Sequence, residues 1–191
     1  MANANAPRGL IPFRHKNGSP IVTNEYTIAS AYSTSLYRGD PLILSGTSTN
    51  VNIAVGTAAT PSVAGIGVFA GCTWTDSTGQ FHFSKYWPAS TVASDAKALV
   101  WDDPNIIFEA QSLTFALNDS GGLVDFTYAA GSTKTGYSGC YLDSTTGTSD
   151  KTFRLLRLID RPYNEVGAYA KVECIYVEHA LLSVIAGTGG V

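Results

Sequence analysis

Polar and apolar residues alternate most regularly near the end of the chain, between Phe153 and His179. The apolar residues of the second half of this stretch fall on one face: Ala170, Val172, Cys174 and Tyr176. Lys171 and Glu173 fall on the other face, and this period of two is typical of a half-buried strand. A turn rich in proline, asparagine and glycine separates this strand from an earlier one. We therefore expect an antiparallel pair in which Lys171 and Glu173 face solvent or a neighbouring protein.

Short runs of the same character recur along the chain, separated by glycine, proline, asparagine, aspartate and serine. They lie at Ile21–Ile28, Pro41–Leu44, Val51–Val55, Ile66–Phe69, Phe81–Phe83, Ala98–Trp101, Ile106–Ala110, Val124–Tyr128 and Tyr137–Leu142. Thr91–Leu99 has a weak helical pattern, and the alternative is that it leads into a strand. The pattern as a whole predicts an all-β fold, a small antiparallel β-barrel or β-sandwich with little helix. Residues 112–135 are rich in turn residues and predict loops at one edge of the domain.

The first 24 residues differ from the rest, because they carry three prolines and the densest basic patch of the chain without clear periodicity. We interpret residues 1–24 as an extended N-terminal arm and residues 25–191 as a single β domain. Two alternatives remain for the arm. It is either a disordered tail, as chain termini often are, or an extended segment that becomes ordered against a partner.

Composition narrows the range of functions. Only 14% of the 191 residues are charged, the net charge is −3, and 45% are hydrophobic. Basic residues form no stripe beside aromatic residues, so we expect no direct binding of nucleic acid. No apolar run approaches the ~20 residues that span a bilayer, and no signal-peptide pattern begins the chain, so we expect no membrane association.

The residues that usually carry chemistry form no convincing site. The three cysteines have irregular spacing, which favours buried thiols in a chain made in a reducing cytoplasm. Gly65–Ala70 matches a dinucleotide-binding pattern only formally, because no helix is predicted after it. Asp102 and Asp103 precede a proline and are interpreted as a turn. We expect no enzyme activity, metal or cofactor.

Two motifs leave further alternatives open. Arg38-Gly39-Asp40 spells an integrin-binding tripeptide, but the strand-like run after it favours a tight turn. Cys140 and His179 form a hypothetical catalytic dyad of a small hydrolase. A carbohydrate-binding or fibre-like adhesion module is a further alternative, which rests on aromatic residues that are more often core residues: Trp74, Tyr86, Trp87 and Trp101.

The order of several blocks resembles the head decoration, or cement, proteins of tailed bacteriophages. The blocks are Tyr37–Leu44 (YRGDPLIL), Gly65–Gly71 (GIGVFAG), Ala98–Gln111 (ALVWDDPNIIFEAQ), Gly136–Asp143 (GYSGCYLD) and Phe153–His179. Together they span most of residues 37–179. Residues 1–24 are not part of the shared pattern.

This resemblance implies a structural virion protein that binds the outer surface of an assembled head and stabilises it against internal DNA pressure. The implied partner is the major capsid protein, and the implied protein is a dimer or trimer made in the host cytoplasm and located on the outer capsid surface. In this hypothesis the arm contacts the capsid through Arg8, Leu10, Ile11, Pro12, Phe13, Arg14 and Lys16. A possible second interface consists of Arg154, Arg157 and Arg161.

Overall fold

Strands make up nearly all regular structure of the protein, as a computed structural model that describes residues 3–47, 50–55, 65–143 and 151–182 shows. Short 3₁₀ turns lie at Leu117–Asp119 and Ala180–Leu182. The strands are β1 (Ile11–His15), β2 (Asn24–Thr27), β3 (Leu36–Tyr37), β4 (Pro41–Thr47), β5 (Asn50–Val55), β6 (Gly65–Thr75), β7 (Phe81–Ser84), β8 (Tyr86–Trp87), β9 (Lys97–Trp101), β10 (Ile106–Gln111), β11 (Thr114–Phe115), β12 (Leu123–Val124), β13 (Phe126–Thr127), β14 (Tyr141–Leu142), β15 (Phe153–Leu158), β16 (Gly167–Ala168) and β17 (Lys171–Tyr176). The predicted all-β class is confirmed.

Two larger sheets organise the chain. One is antiparallel and has the strand order β1-β10-β17-β15-β12. In the other, the pairings β4-β5-β2-β9-β6 close into a ring because β6 also pairs with β4, and β7 continues from β6. All strands of the ring lie between residues 24 and 101. The ring is therefore a continuous insertion between β1 and β10 of the five-stranded sheet.

Strand β6 belongs to the cores of both sheets. Val68 packs in the core beneath the five-stranded sheet, whereas Ile66 and Phe69 pack inside the ring. A strand that is covered on both faces requires a nearly continuous apolar sequence, and Gly65–Gly71 has one. Tyr128 packs against both cores and joins them further.

Glycines in β6 allow the two sheets to approach closely. The Tyr176 hydroxyl donates a hydrogen bond of 3.0 Å to the Gly67 carbonyl oxygen. A Cβ atom on Gly65 would lie only 2.7 Å from the Tyr176 ring. The glycines that resemble a dinucleotide fingerprint thus serve strand packing, and β6 continues past them as a strand.

The C-terminal pair is confirmed, since β15 and β17 pair antiparallel and Val172, Cys174 and Tyr176 are buried. The expectation that Glu173 faces solvent or a neighbouring protein is wrong, because its side chain is 2% exposed and is covered by arginines of the same chain.

Of the two alternatives for Thr91–Leu99, the helix is wrong and the segment that leads into a strand is confirmed. The last residues of that stretch begin β9, which pairs with β2 and β6. Other boundaries shift: the predicted Ile21–Ile28 strand is reduced to β2, and the predicted Tyr137–Leu142 strand to β14.

The N-terminal segment is part of the folded domain. The predicted boundary at residue 24 is wrong, because β1 pairs with β10 and forms the edge of the five-stranded sheet. The Gly9 N–H donates to the Cys140 carbonyl (3.2 Å), and the Leu10 N–H donates to the Gly39 carbonyl (2.9 Å). These two bonds hold the chain between the turn at residues 38–40 and the loop at residues 138–140.

We predict that Gly9→Ala destabilises the protein more than Gly18→Ala does. Both glycines have a positive φ, 68° and 75°, so each substitution carries backbone strain of about 1–2 kcal/mol. At Gly9 the new Cβ would also lie 2.7 Å from the Ser138 Cβ, whereas nothing lies within 4 Å at Gly18. This overpacking adds about 1–3 kcal/mol.

Urea denaturation of the two variants and the unmodified protein measures the difference. Equal unfolding free energies for the two variants would contradict the close packing of the N-terminal segment.

Candidate interaction surfaces

Two glutamates face each other on the outer side of the five-stranded sheet. Glu109 of β10 and Glu173 of β17 are direct cross-strand partners. Like charges placed directly opposite in a sheet destabilise it unless counter-charges neutralise them. Both side chains are largely covered, with 11% and 2% of their surface exposed, so water contributes little to their solvation.

Four arginines supply the counter-charge, two for each glutamate. Glu173 accepts hydrogen bonds from Arg14 (2.7 Å) and Arg157 (3.0 Å). Burial alone would raise the pKa of Glu173, but the bonds from these arginines outweigh it and leave that pKa lowered. Glu109 accepts two bonds from Arg161 (3.1 and 2.7 Å), and Arg8 lies 3.6 Å away.

A fifth cation, Lys171, completes this surface. Its ammonium group donates to the Ala6 carbonyl and to Gln111 Oε1, both at 2.9 Å. Burial lowers the pKa of Lys171 to about 8, and the charge of Arg8 acts in the same direction. We define the cationic face as these five side chains on the outer side of the sheet: Arg8, Arg14, Arg157, Arg161 and Lys171.

The structure brings the two arginine groups predicted as separate interfaces into this one face. Arg8 and Arg14 come from the N-terminal segment, and Arg157 and Arg161 come from the region of β15. Arg154 lies on the same side of β15, but its guanidinium contacts the Gly121 carbonyl at 3.4 Å.

The other predicted arm residues have different environments. Leu10 is 2% exposed and belongs to the core of the five-stranded sheet, so it is not free to fill a hollow on a partner. Ile11 and Pro12 are half-buried, whereas Phe13 and Lys16 are exposed. The apolar run Leu10–Phe13 therefore packs largely within the protein itself, and Phe13 is its exposed residue.

A second surface lies on β7, which pairs with β6 in the ring sheet. Phe81 and Phe83 are 66% and 69% exposed on one side of the strand. His82 points to the other side, where it stacks on Trp74 with ring centroids 5.0 Å apart and its ring Nε2–H donates a 2.8 Å hydrogen bond to the Asp76 carboxylate. The sequence shows the alternation but not its direction, since apolar residues usually face inward.

The Arg38-Gly39-Asp40 tripeptide forms a tight turn whose carboxylate is inaccessible. Asp40 is 0% exposed and accepts a 2.7 Å hydrogen bond from the Tyr37 N–H. Burial raises the pKa of Asp40 to about 6, although bonds from Ser138, Tyr37 and Cys140 oppose this rise. The turn interpretation is confirmed.

Cys140 and His179 share no hydrogen bond: His179 Nδ1 accepts from the Leu181 N–H, and its Nε2 has no hydrogen-bond partner among the described residues. The Cys140 thiol is buried beside Asp40, 3.7 Å from its carboxylate, and burial raises the pKa of this thiol to about 12. A thiol nucleophile needs the opposite shift. Cys72 and Cys174 are likewise free and buried, as predicted.

The remaining chemical candidates are occupied by structural contacts. Asp102 accepts bonds from Asn24 and Tyr26, whereas Asp103 contacts His15 at 3.0 Å. Among the described residues, no group of three or more histidine, cysteine or acidic side chains is arranged to hold a metal ion. Most aromatic residues considered for a carbohydrate platform are buried: Trp74, Trp87 and Trp101.

Comparison of the chain with protein-family models, with curated proteins and with solved structures finds no match. In the part of the chain that the structure describes, no helix has the length and apolar character needed to cross a membrane.

We predict that Asp40→Asn changes the pH dependence of stability. Because the folded-state pKa of Asp40 is about 6, against 3.8 for a free side chain, the native protein holds this proton more tightly than the unfolded chain does. The stabilisation is complete below pH 3.8 and is lost as the pH rises through about 6, by up to about 3 kcal/mol.

The variant lacks this titrating carboxyl group. The unfolding free energy of the variant minus that of the unmodified protein should therefore rise between pH 4 and pH 7. Urea denaturation at several pH values measures the difference, in which the titrations of the other carboxyl groups cancel. A difference that stays constant with pH would contradict the prediction.

Proposed function

We propose that the protein is a structural component of a virion, a decoration protein that binds the outer surface of an assembled phage head. Its partner in this proposal is the major capsid protein. The chain acts by binding and not by catalysis, and it assembles as a homo-oligomer on the lattice.

The observation that carries the proposal is the exposed pair Phe81 and Phe83 on β7. Large aromatic side chains that remain in water next to each other mark surfaces for protein contact. On the opposite side of the strand, His82 and Trp74 pack together, so the two phenylalanines are held on a supported strand. Burying both rings on a partner removes a large apolar area from water, which favours association.

The resemblance of the sequence blocks to head decoration proteins supplies the identity of the partner. The all-β fold and the low content of charged residues, 14%, agree with a protein that is covered by neighbours. The buried state of Cys140 weighs against the alternative of a small hydrolase.

The physical basis of the function is mass action. A protein that binds the assembled lattice and not the free subunits shifts the equilibrium away from disassembly. The contribution of each copy is small, but many copies on one shell add their binding free energies. An internally pressurised shell therefore needs more heat or force to open when its surface is occupied.

We predict that Phe81→Ser combined with Phe83→Ser weakens binding to purified heads by at least about tenfold, because the variant forgoes the burial of two aromatic rings. Heads stripped of the protein are mixed with increasing amounts of it, pelleted, and assayed for bound protein. Electron microscopy of the same samples tests whether the bound protein forms regular outer protrusions.

A matched control replaces Leu117 and Tyr163 with serine. These side chains are 71% and 73% exposed and lie outside the ring sheet, so the control removes comparable exposed apolar surface elsewhere. If the control variant also loses binding, the binding to heads cannot be assigned to the surface on β7. Failure of the unmodified protein to bind heads at any concentration would overturn the proposed function.

A further inference from the structure

We propose that the cationic face is a docking surface for an acidic segment of a partner protein, which its arginines recognise through carboxylate side chains. This inference deepens the proposed function, because it specifies the chemistry that the partner on the head must present.

The face has more positive charge than its own glutamates neutralise. Five cations oppose Glu109 and Glu173, which leaves a surplus of +3. Of the 12 basic and 15 acidic residues in the chain, the other 7 and 13 carry −6. Even when Arg154 on the same side of β15 and the nearby loop residues Asp160 and Glu165 are included, the surplus is +2.

Arg157 and Arg8 are the most exposed arginines of the cationic face. Arg157 is 64% exposed and Arg8 is 52% exposed, and Arg8 lies 3.6 Å from Glu109, which is long for a hydrogen bond. A guanidinium carries five N–H donors, so a single glutamate cannot satisfy it. Both side chains therefore present unused donors at the surface.

The buried glutamates prepare these arginines for binding. They hold the guanidinium groups near fixed positions over the sheet, so a partner does not have to immobilise several long, flexible side chains. Planar guanidinium groups match carboxylates through two parallel hydrogen bonds, which favours a partner with aspartate or glutamate side chains.

Two features favour an acidic protein segment over nucleic acid. The two glutamates place negative charge within the face, and they would repel a continuous phosphate backbone. Ile11, which lies opposite Glu109 in the pairing of β1 with β10 and is half-buried, offers an apolar contact beside the charges.

The partner is recognised through side chains and not by addition of a strand to β1. Pro12 lies in β1 at the edge of the sheet and has no N–H to donate. A bulge between Pro12 and Arg14 further interrupts the regular spacing of that strand. Both features make the edge a poor template for another strand.

The test uses the full chain and a variant that combines Arg8→Gln with Arg157→Gln. Each glutamate then keeps one arginine, Arg161 for Glu109 and Arg14 for Glu173, so no buried carboxylate is left unpaired. A control combines Lys97→Gln with Lys134→Gln, which removes the same charge outside the cationic face.

The probe is a fluorescently labelled peptide of glutamates, and its binding is followed by fluorescence anisotropy. We expect the arginine variant to weaken binding by about tenfold or more and the lysine control to change it by less than about twofold. Raising NaCl from roughly 25 mM to roughly 250 mM should also weaken binding of the unmodified protein by about tenfold.

Equal affinity of the arginine variant and the unmodified protein would overturn the inference. So would tighter binding of a thymidine oligonucleotide of the same length than of the peptide. If the arginine variant does not fold, the salt series on the unmodified protein decides, since binding that is indifferent to salt contradicts a charged contact.

The same variants on purified heads separate this inference from the proposed function. If the unmodified protein binds heads and the arginine variant binds them equally well, the inference fails and the function stands. If the unmodified protein does not bind heads but binds the peptide through its arginines, the function fails and the inference stands.

Discussion

The repulsion between Glu109 and Glu173 is the constraint on which the five-stranded sheet depends. The two carboxylates are direct partners on neighbouring strands and have little access to water, so the sheet is stable only with counter-charges above them. Those counter-charges come from both ends of the chain, Arg8 and Arg14 before β1 ends and Arg157 and Arg161 around β15. The N-terminal segment is consequently needed for the fold and is not an accessory to it.

The ring sheet depends on a different device, the sharing of β6 between two cores. Val68 and Phe69 are neighbours in sequence but pack on opposite sides of β6. Within the ring, Gly67 allows the Trp101 backbone of β9 to approach closely, and Gly65 leaves room for the Tyr176 ring of the five-stranded sheet. The insertion between β1 and β10 is thereby packed tightly against the sheet that it interrupts.

The sequence was sufficient to predict the fold class and the buried face of β17, because period-two patterning is a local signal. It was not sufficient for β1, whose partner β10 lies more than ninety positions away in the sequence and whose Pro12 resembles a linker residue. Alternation placed Glu173 on the outer side, but only the three-dimensional structure shows that Arg14 and Arg157 cover it. Likewise, the pattern around His82 places Phe81 and Phe83 together without showing that they face outward.

The position of β1 has a consequence for how the protein folds as it is synthesised. The ring is made from strands between residues 24 and 101, so it can form while the ribosome is still making the remainder. Strand β1 cannot pair until β10 has been synthesised. The Asn3 side chain cannot donate to the Ala168 carbonyl until that residue, 165 positions later, has been added. Such long-range pairing is slow, so β1 is synthesised before the strands of the ring but is fixed in place after them.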